Sequence, residues 1–338
     1  MLEEKIRQAW RQKNWLFYCV LVPLSWLFAL ITVLRRYAYQ KGFLKSHALT
    51  VPVIVVGNIN MGGSGKTPVV IWLVAQLKLQ GYTPGVISRG YGGSIKLPTL
   101  VNVNSQPAQV GDEPVLIANR CDCPVYIGAD RVQAGFALLK AYPQCDVIIS
   151  DDGLQHYRLQ RAFEIIVLDA SLLPETANLL PAGPLRETAK RLQTVDAIIL
   201  NVAGLEATFD SQKYANTYQM QLIGEQFYSL ANPNLTATVQ NFKRKSIKAM
   251  AGIGNPERFF EHLRKLGLTF AAASFNDHHA FTQAEIEQQD CDMLIMTEKD
   301  AVKCNQFAQA HHWVLPVNAQ IDALLMPQIL AKLANWHH

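Results

Sequence analysis

Gly62-Gly63-Ser64-Gly65-Lys66-Thr67-Pro68 follows the apolar run Val51 to Val56 through the short bridge Gly57-Asn58-Ile59-Asn60-Met61. A strand, a glycine-rich turn and a helix start, in that order, make a phosphate cradle. Glycines let backbone N–H groups crowd around an oxyanion, Lys66 reaches the β- and γ-phosphates, and the Thr67 hydroxyl suits Mg²⁺. Asn60, Met61, Gly62, Gly63, Ser64, Gly65, Lys66 and Thr67 are therefore the candidate nucleotide-binding residues. The strict pattern places a glycine where Asn60 stands. The strand before the turn and the apolar residues after it (Val69, Val70, Trp72, Leu73) support the assignment all the same. Pro68 falls in the first helical turn, where no N–H donor is needed.

Further along, Asp146 to Ser150 is an apolar strand that ends in Asp151-Asp152-Gly153-Leu154-Gln155-His156. A carboxylate at such a strand end holds Mg²⁺ directly or through water in P-loop enzymes. Gln155 and His156, in the next turn, suit the orientation of metal waters or substrate. Asp112, in Gly111-Asp112-Glu113-Pro114, is the first acidic residue after Glu4. It fits the N-cap of a helix over 113–120, or a general base that takes a proton from an attacking hydroxyl, or both. Asp277-His278-His279 lies between Phe275 and Phe281. A histidine there suits either a surface loop or a pairing that orients a catalytic carboxylate. Arg186, after Pro181-Ala182-Gly183-Pro184-Leu185, suits a phosphate clamp or a plain helix start. Ser88-Arg89-Gly90-Tyr91-Gly92-Gly93 is a turn at a strand end, and Thr297-Glu298-Lys299-Asp300 carries a faint Lys-x-Asp base-reading pattern.

The elements that position these residues alternate. Strands are expected at 51–56, 84–88, 124–127, 146–150, 164–169 and 195–201, with helices at 67–80, 113–120, 130–141 and 186–193. Short, nearly continuous apolar strands between helices indicate a parallel sheet covered on both faces, with ligands at the carboxyl ends of its strands. The stretch 206–245 is more polar and holds a boundary. A second α/β unit follows, with strands at 247–251, 293–297 and 313–317 and helices at 256–266 and 322–335. The expected fold is an α/β P-loop core with a hydrophobic N-terminal helix and a smaller C-terminal α/β lobe. Its divisions are 1–45 for the hydrophobic helix, 46–220 for the P-loop core and 221–338 for the C-terminal lobe.

Of the 338 residues, 49% are hydrophobic and 17% charged, which describes a folded protein with a sizeable core. The six cysteines form no CxxC pair, and Cys121-Asp122-Cys123 has no histidine or second pair nearby to complete a zinc site. The formal charge of +4 conceals an asymmetry: residues 1–111 hold twelve Lys/Arg against Glu3 and Glu4 alone. Such a basic third attracts nucleic acid, phosphates or anionic lipid. Trp15 to Leu34 carries no charge, which favours lipid over nucleic acid. Twenty helical residues reach about 30 Å, the thickness of a bilayer core. Pro23 and Ser25 interrupt the run, and basic residues flank both sides (Lys5, Arg7, Arg11 and Lys13; Arg35, Arg36, Lys41 and Lys45). A helix lying in the cytosolic leaflet fits that pattern better than a span does.

Together the motifs identify the chain as similar to the tetraacyldisaccharide 4'-kinase family of Gram-negative bacteria. The resemblance rests on residues 56–68, 88–93, 111–114, 151–156, 181–187, 251–256, 277–279 and 297–303, in family order along almost the whole chain. It implies transfer of the γ-phosphate of ATP, with Mg²⁺, to the 4'-hydroxyl of a tetraacylated glucosamine disaccharide 1-phosphate. The product is the 1,4'-bisphosphate, lipid IVA, in lipid A biosynthesis. It implies work at the cytosolic face of the inner membrane as a peripheral or monotopic protein. The implied partners are the lipid acceptor and the membrane, with no nucleic acid and no obligate protein partner. Carried over by motif, Asp112 is the base and His278 its dyad partner, with Lys66 in phosphate transfer. Thr67, Asp151, Asp152 and Gln155 organise the metal, and Glu113, His156, Arg186 and Glu187 face substrate. The rival class is a membrane-bound NTPase switch, which would turn over ATP without an acceptor.

Overall fold

The computed structural model describes residues 15–170, 177–202, 214 and 216–336. It folds as two compact units, each built from separated stretches of chain. The first comprises residues up to Lys66, Asp152–Met220 and the chain from Ile321 onward. The second comprises Thr67–Asp151 and Gln221–Gln320.

In the first unit the strands Val53–Gly57, Phe163–Asp169, Ala197–Asn201 and Thr217–Ile223 pair in that order, every pair parallel. Val53–Gly57 and Ala197–Asn201 are buried at every residue. Strands covered on both faces read as unbroken apolar runs, which is why they were legible as Val-Ile-Val-Val-Gly and Ala-Ile-Ile-Leu-Asn. The helix Trp15–Gln40 belongs to this unit and continues through Pro23. From Cys19 to Gln40 it is long and apolar enough to cross a bilayer, by length and composition. Trp26, Leu27, Leu30, Ile31 and Leu34 are exposed along it. Its inner side is tied down by the Ser25 hydroxyl, which donates to Leu179 O at 3.0 Å, and by Arg36, which donates to Thr194 Oγ1 at 2.8 Å. The basic residues Lys5, Arg7, Arg11 and Lys13 lie outside the described residues.

In the second unit Val147–Asp151, Pro84–Ser88 and Val125–Ile127 pair in parallel, and Thr99–Val101 closes that edge antiparallel. A further sheet runs Thr236–Ala237, Phe227–Ser229, His312–Leu315, Met293–Thr297, Ile247–Ala251, Ala271–Ser274. Its last four strands are parallel. One face packs Phe227, Phe242, Phe259, Phe260 and Trp313 into an aromatic core, and the other packs Met250, Phe281, Leu294 and Met296.

Two expectations are corrected. The segment expected as a helix over 186–193 is a 3-10 turn at Ala189–Thr194, because the side chains of Glu187 and Arg191 are drawn into a buried network that fixes its path. The polar stretch 206–245 contains strands at Thr217–Ile223, Phe227–Ser229 and Thr236–Ala237.

Candidate active site

The glycine-rich loop of the first unit is shaped by its backbone and by side chains packed against it. Gly62 and Gly65 hold φ of +117° and +96°, a region that side chains disfavour and that turns backbone N–H groups inward. The loop is braced from within and from two neighbouring segments. Asn58 Nδ2 lies 3.4 Å from both Gly62 O and Ser64 Oγ. Asn201, at a strand end, donates to Ser64 O at 3.2 Å, and the Met61 N–H donates to Pro184 O at 2.8 Å. Asn60 is buried and bridges to Leu185. The residue that replaces the expected glycine is thus a structural part of the loop.

Lys66 begins the helix Lys66–Leu79, and its Nζ stands 3.6 Å from Asp152 Oδ1. Arg186 approaches the same carboxylate at 3.1 Å. Two cations on one acid leave net positive charge beside the loop, which suits a polyphosphate. Glu187 is buried and accepts hydrogen bonds from Gln155 at 2.8 Å and from the Tyr157 hydroxyl at 2.5 Å. Arg191 adds an ion pair at 3.4 Å. Burial and the Glu187 charge push the Tyr157 phenol well above its ordinary value, so it stays a donor. Gln155 also donates to Asn58 O at 3.1 Å. Gln155 and Glu187 therefore position the loop through their own contacts. His156 is half-buried in the same turn.

In the second unit Asp112 is the first residue of the helix Asp112–Cys121 and is 5% exposed. Gly111 is the N-cap, one residue before the Asp112 expected in that role. Asp112 Oδ1 instead accepts from the N–H of Glu113 at 2.9 Å. His278 Nδ1 lies 2.9 and 3.0 Å from the two Asp112 oxygens. Sequence separation hid this pair, and the structure brings it together. Burial raises the Asp112 carboxyl, but the His278 hydrogen bond and the Lys299 and Lys303 charges outweigh it and hold the group below its ordinary value. Burial lowers His278, and the bond to Asp112 with the Asp112 and Asp277 charges lifts it above its ordinary value despite Lys299. An ionised, hydrogen-bonded carboxylate is the form a base needs.

Lys299 is the residue that motif reading missed. The faint base-reading pattern dissolves: Asp300 is buried and accepts from the Gly252 N–H at 3.0 Å and the Thr297 hydroxyl at 2.7 Å. Lys299 instead contacts Glu113 and Asp277 at 3.1 Å each. Its place at the end of the apolar strand Met293–Thr297 was the available signal.

Each unit offers hard oxygen donors of its own: the Asp152 carboxylate and the Gln155 amide oxygen in the first, the Thr67 hydroxyl and the Asp151 carboxylate in the second. Asp151 is fully buried and accepts from the Ser88 hydroxyl at 3.1 Å. Among the described residues no three His, Cys, Asp or Glu side chains gather as a metal cage. Mg²⁺ keeps several waters and takes one or two carboxylates plus phosphate oxygens, so oxygen donors of this chemistry suit it.

A braced P-loop with a cation-flanked carboxylate, and a buried carboxylate–imidazole pair, define a P-loop phosphotransferase. The family model described as tetraacyldisaccharide-1-P 4'-kinase matches residues 17–334. The tetraacyldisaccharide 4'-kinase of Methylobacillus flagellatus is 47% identical over 330 residues, covering 96% of each chain. That of Azoarcus sp. is 46% identical over 316 residues, covering 94% of this chain and 92% of its own. Among solved structures, the "apo" form of LpxK from Aquifex aeolicus in complex with ATP aligns with a TM-score of 0.79 at 29% identity. The alignment covers 92% of this chain and 98% of that one. The chain belongs to the tetraacyldisaccharide-1-P 4'-kinase family, and it is a kinase.

Proposed function

We propose that the chain carries the γ-phosphate of ATP to the 4'-hydroxyl of a tetraacyldisaccharide 1-phosphate as a step of lipid A biosynthesis, with Asp112 as the base. The observation that carries the base assignment is the 2.9 Å contact between His278 Nδ1 and a carboxylate that is itself buried. The imidazole orients Asp112, and Asp112 accepts the hydroxyl proton as the oxygen attacks. Phosphoryl transfer otherwise asks for alignment and neutralised charge. The P-loop amides and Lys66 hold the triphosphate, and Arg186 takes part of the charge that Asp152 now balances. Thr67, Asp151, Asp152 and Gln155 would hold Mg²⁺, which neutralises phosphate oxygens when bound. Glu113 and His156 belong to the acceptor's surroundings, and Glu187 holds Gln155 and Tyr157 in place beside the loop.

The lipid acceptor calls for delivery from a membrane. The exposed apolar side of the helix Trp15–Gln40 and the basic residues Arg35, Arg36, Lys41 and Lys45 suit the cytosolic leaflet. We assign residues 1–45 to that contact, 46–220 to the nucleotide core and 221–338 to the C-terminal lobe. The discriminating assay measures ADP release in detergent micelles with and without the lipid disaccharide. A kinase releases ADP in step with acceptor, whereas release indifferent to acceptor would identify an NTPase switch and end this assignment.

A further inference from the structure

Lys299 sits where three hydrogen bonds meet. Its Nζ is 3.1 Å from Glu113 Oε1, 3.1 Å from Asp277 Oδ1 and 3.4 Å from His278 Nε2. An ammonium has three N–H donors and no acceptor. Each of its hydrogens therefore has one partner, and the imidazole nitrogen it faces must present a lone pair. We propose that Lys299 is a positioning residue that fixes the proton of His278 on Nδ1, so that the imidazole donates to Asp112 and cannot turn to offer it a lone pair.

The neutral imidazole has two tautomers, and the bond made by one nitrogen decides which is present. With Nε2 accepting from Lys299, Nδ1 carries the hydrogen and donates to Asp112 at 2.9 Å. In the other tautomer two lone pairs would meet at Asp112 and two hydrogens at Lys299. Burial works against the ammonium, but the Glu113, Asp112 and Asp277 charges win and hold Lys299 above its ordinary value. It is charged throughout the working pH range.

The backbone supports the same arrangement. His278 adopts φ of +60°, a left-handed conformation that a non-glycine residue seldom takes. The Tyr91 ring lies 5.1 Å from the imidazole and confines it. Asp112 and Glu113 open one helix, and Lys299 lies in the next helix, Glu298–Cys304. Those two helices are clamped again by Arg120, which reaches both oxygens of Glu298 at 2.6 and 2.7 Å. The groups facing His278 are thus Asp112 from one helix, Lys299 from another, Asp277 from its own loop and Tyr91 from a third segment, with Glu113 reaching Lys299 and Lys303 acting at longer range on Asp112.

The inference rests on the Asp112–His278 base reading, but its first test does not use catalysis. Nitrogen NMR of histidine-labelled full-length protein, with His278→Gln to assign the signal, reports the tautomer of neutral His278 above its raised pKa. The expected spectrum has the hydrogen on Nδ1; a hydrogen on Nε2 overturns the proposal whether or not the enzyme turns over. The second test compares Lys299→Met with Lys299→Arg. Lys299→Met is expected to cut kcat on the order of ten- to a hundred-fold with ATP KM little changed. It should also move the acid limb of kcat/KM upward by about one pH unit, because a cation that disfavours imidazolium is gone. Lys299→Arg should restore most of kcat and the wild-type limb. A folded Lys299→Met enzyme with an unmoved limb would refute the proposal. Asp277→Asn, which keeps the ammonium in place, should leave the NMR tautomer as in wild type, and a switch of tautomer there would also count against Lys299.

Discussion

Replacing Arg120 by Met tests the clamp that holds the helix of Asp112 to the helix that follows Met293–Thr297. One Arg120 guanidinium nitrogen contacts both oxygens of Glu298, and the other donates to Asn318 Oδ1 at 2.5 Å. The Glu298 side chain is 7% exposed and also accepts from the Val317 N–H at 3.3 Å. Arg120→Met strands that buried carboxylate. Removing one partner of a buried pair costs about 3–5 kcal/mol. The guanidinium is 24% exposed, so water shares its solvation, which brings the expectation to about 2–3 kcal/mol. The pH sign follows from Glu298. Burial already holds this carboxyl above 4.5 against the pull of Arg120. A raised folded value means that stability is fully present below 4.5 and is lost as pH rises through the folded value. Without Arg120 the folded value climbs further, so the loss extends over a wider window. Urea titrations should therefore show the full deficit at pH 8 and a shrinking one as pH falls towards 4.5. Adding Glu298→Gln, which keeps an acceptor for Val317, should recover more than half of it. An Arg120→Met protein within about 0.5 kcal/mol of wild type at pH 8 would refute the reasoning, since surface substitutions do no more than that.

Gly57→Ala should destabilise the protein by about 1–3 kcal/mol in urea, because its Cβ would fall 2.6 Å from Leu154 Cβ in the packed strand end below the loop. Asp112→Asn should lower kcat by roughly 10²–10⁴-fold with a small change in ATP KM, read in steady-state assays. In the wild type, kcat/KM should rise with pH through a step above 6.5, since His278 is lifted above that ordinary value and its protonated form puts a hydrogen against Lys299. Changing Leu27, Leu30 and Ile31 together to Ser should reduce cosedimentation with anionic vesicles and leave ATP binding intact, because these side chains are exposed on the N-terminal helix.

The strands that carry the site were legible because parallel strands buried on both faces are apolar throughout, as in Val147–Asp151. Their carboxyl ends then pointed to Asp151 and the P-loop. The strand Thr217–Ile223 escaped because its burial alternates along much of its length, with buried Tyr218 and Met220 interleaved with exposed Gln219 and Gln221, so no apolar run marks it. The chemistry of Asp112 was visible only as a lone acid at a helix start. What distinguishes it from a cap is His278, 166 residues away. Lys299 was hidden for the same reason: its partner Glu113 is 186 residues distant, and neither local propensity nor spacing encodes such a contact. Glu187 suggested a substrate contact by motif, yet its carboxylate is already shared among Gln155, Tyr157 and Arg191.

The most direct measurement follows the label from γ-labelled ATP into product, with phosphorus–proton correlation to place it on the disaccharide. The account predicts one labelled lipid per ADP, the phosphate on the 4'-oxygen, and loss of both ADP and lipid signals in a folded Lys66→Ala protein. Label on the 1-phosphate, or ADP formed at an equal rate without lipid, would contradict it.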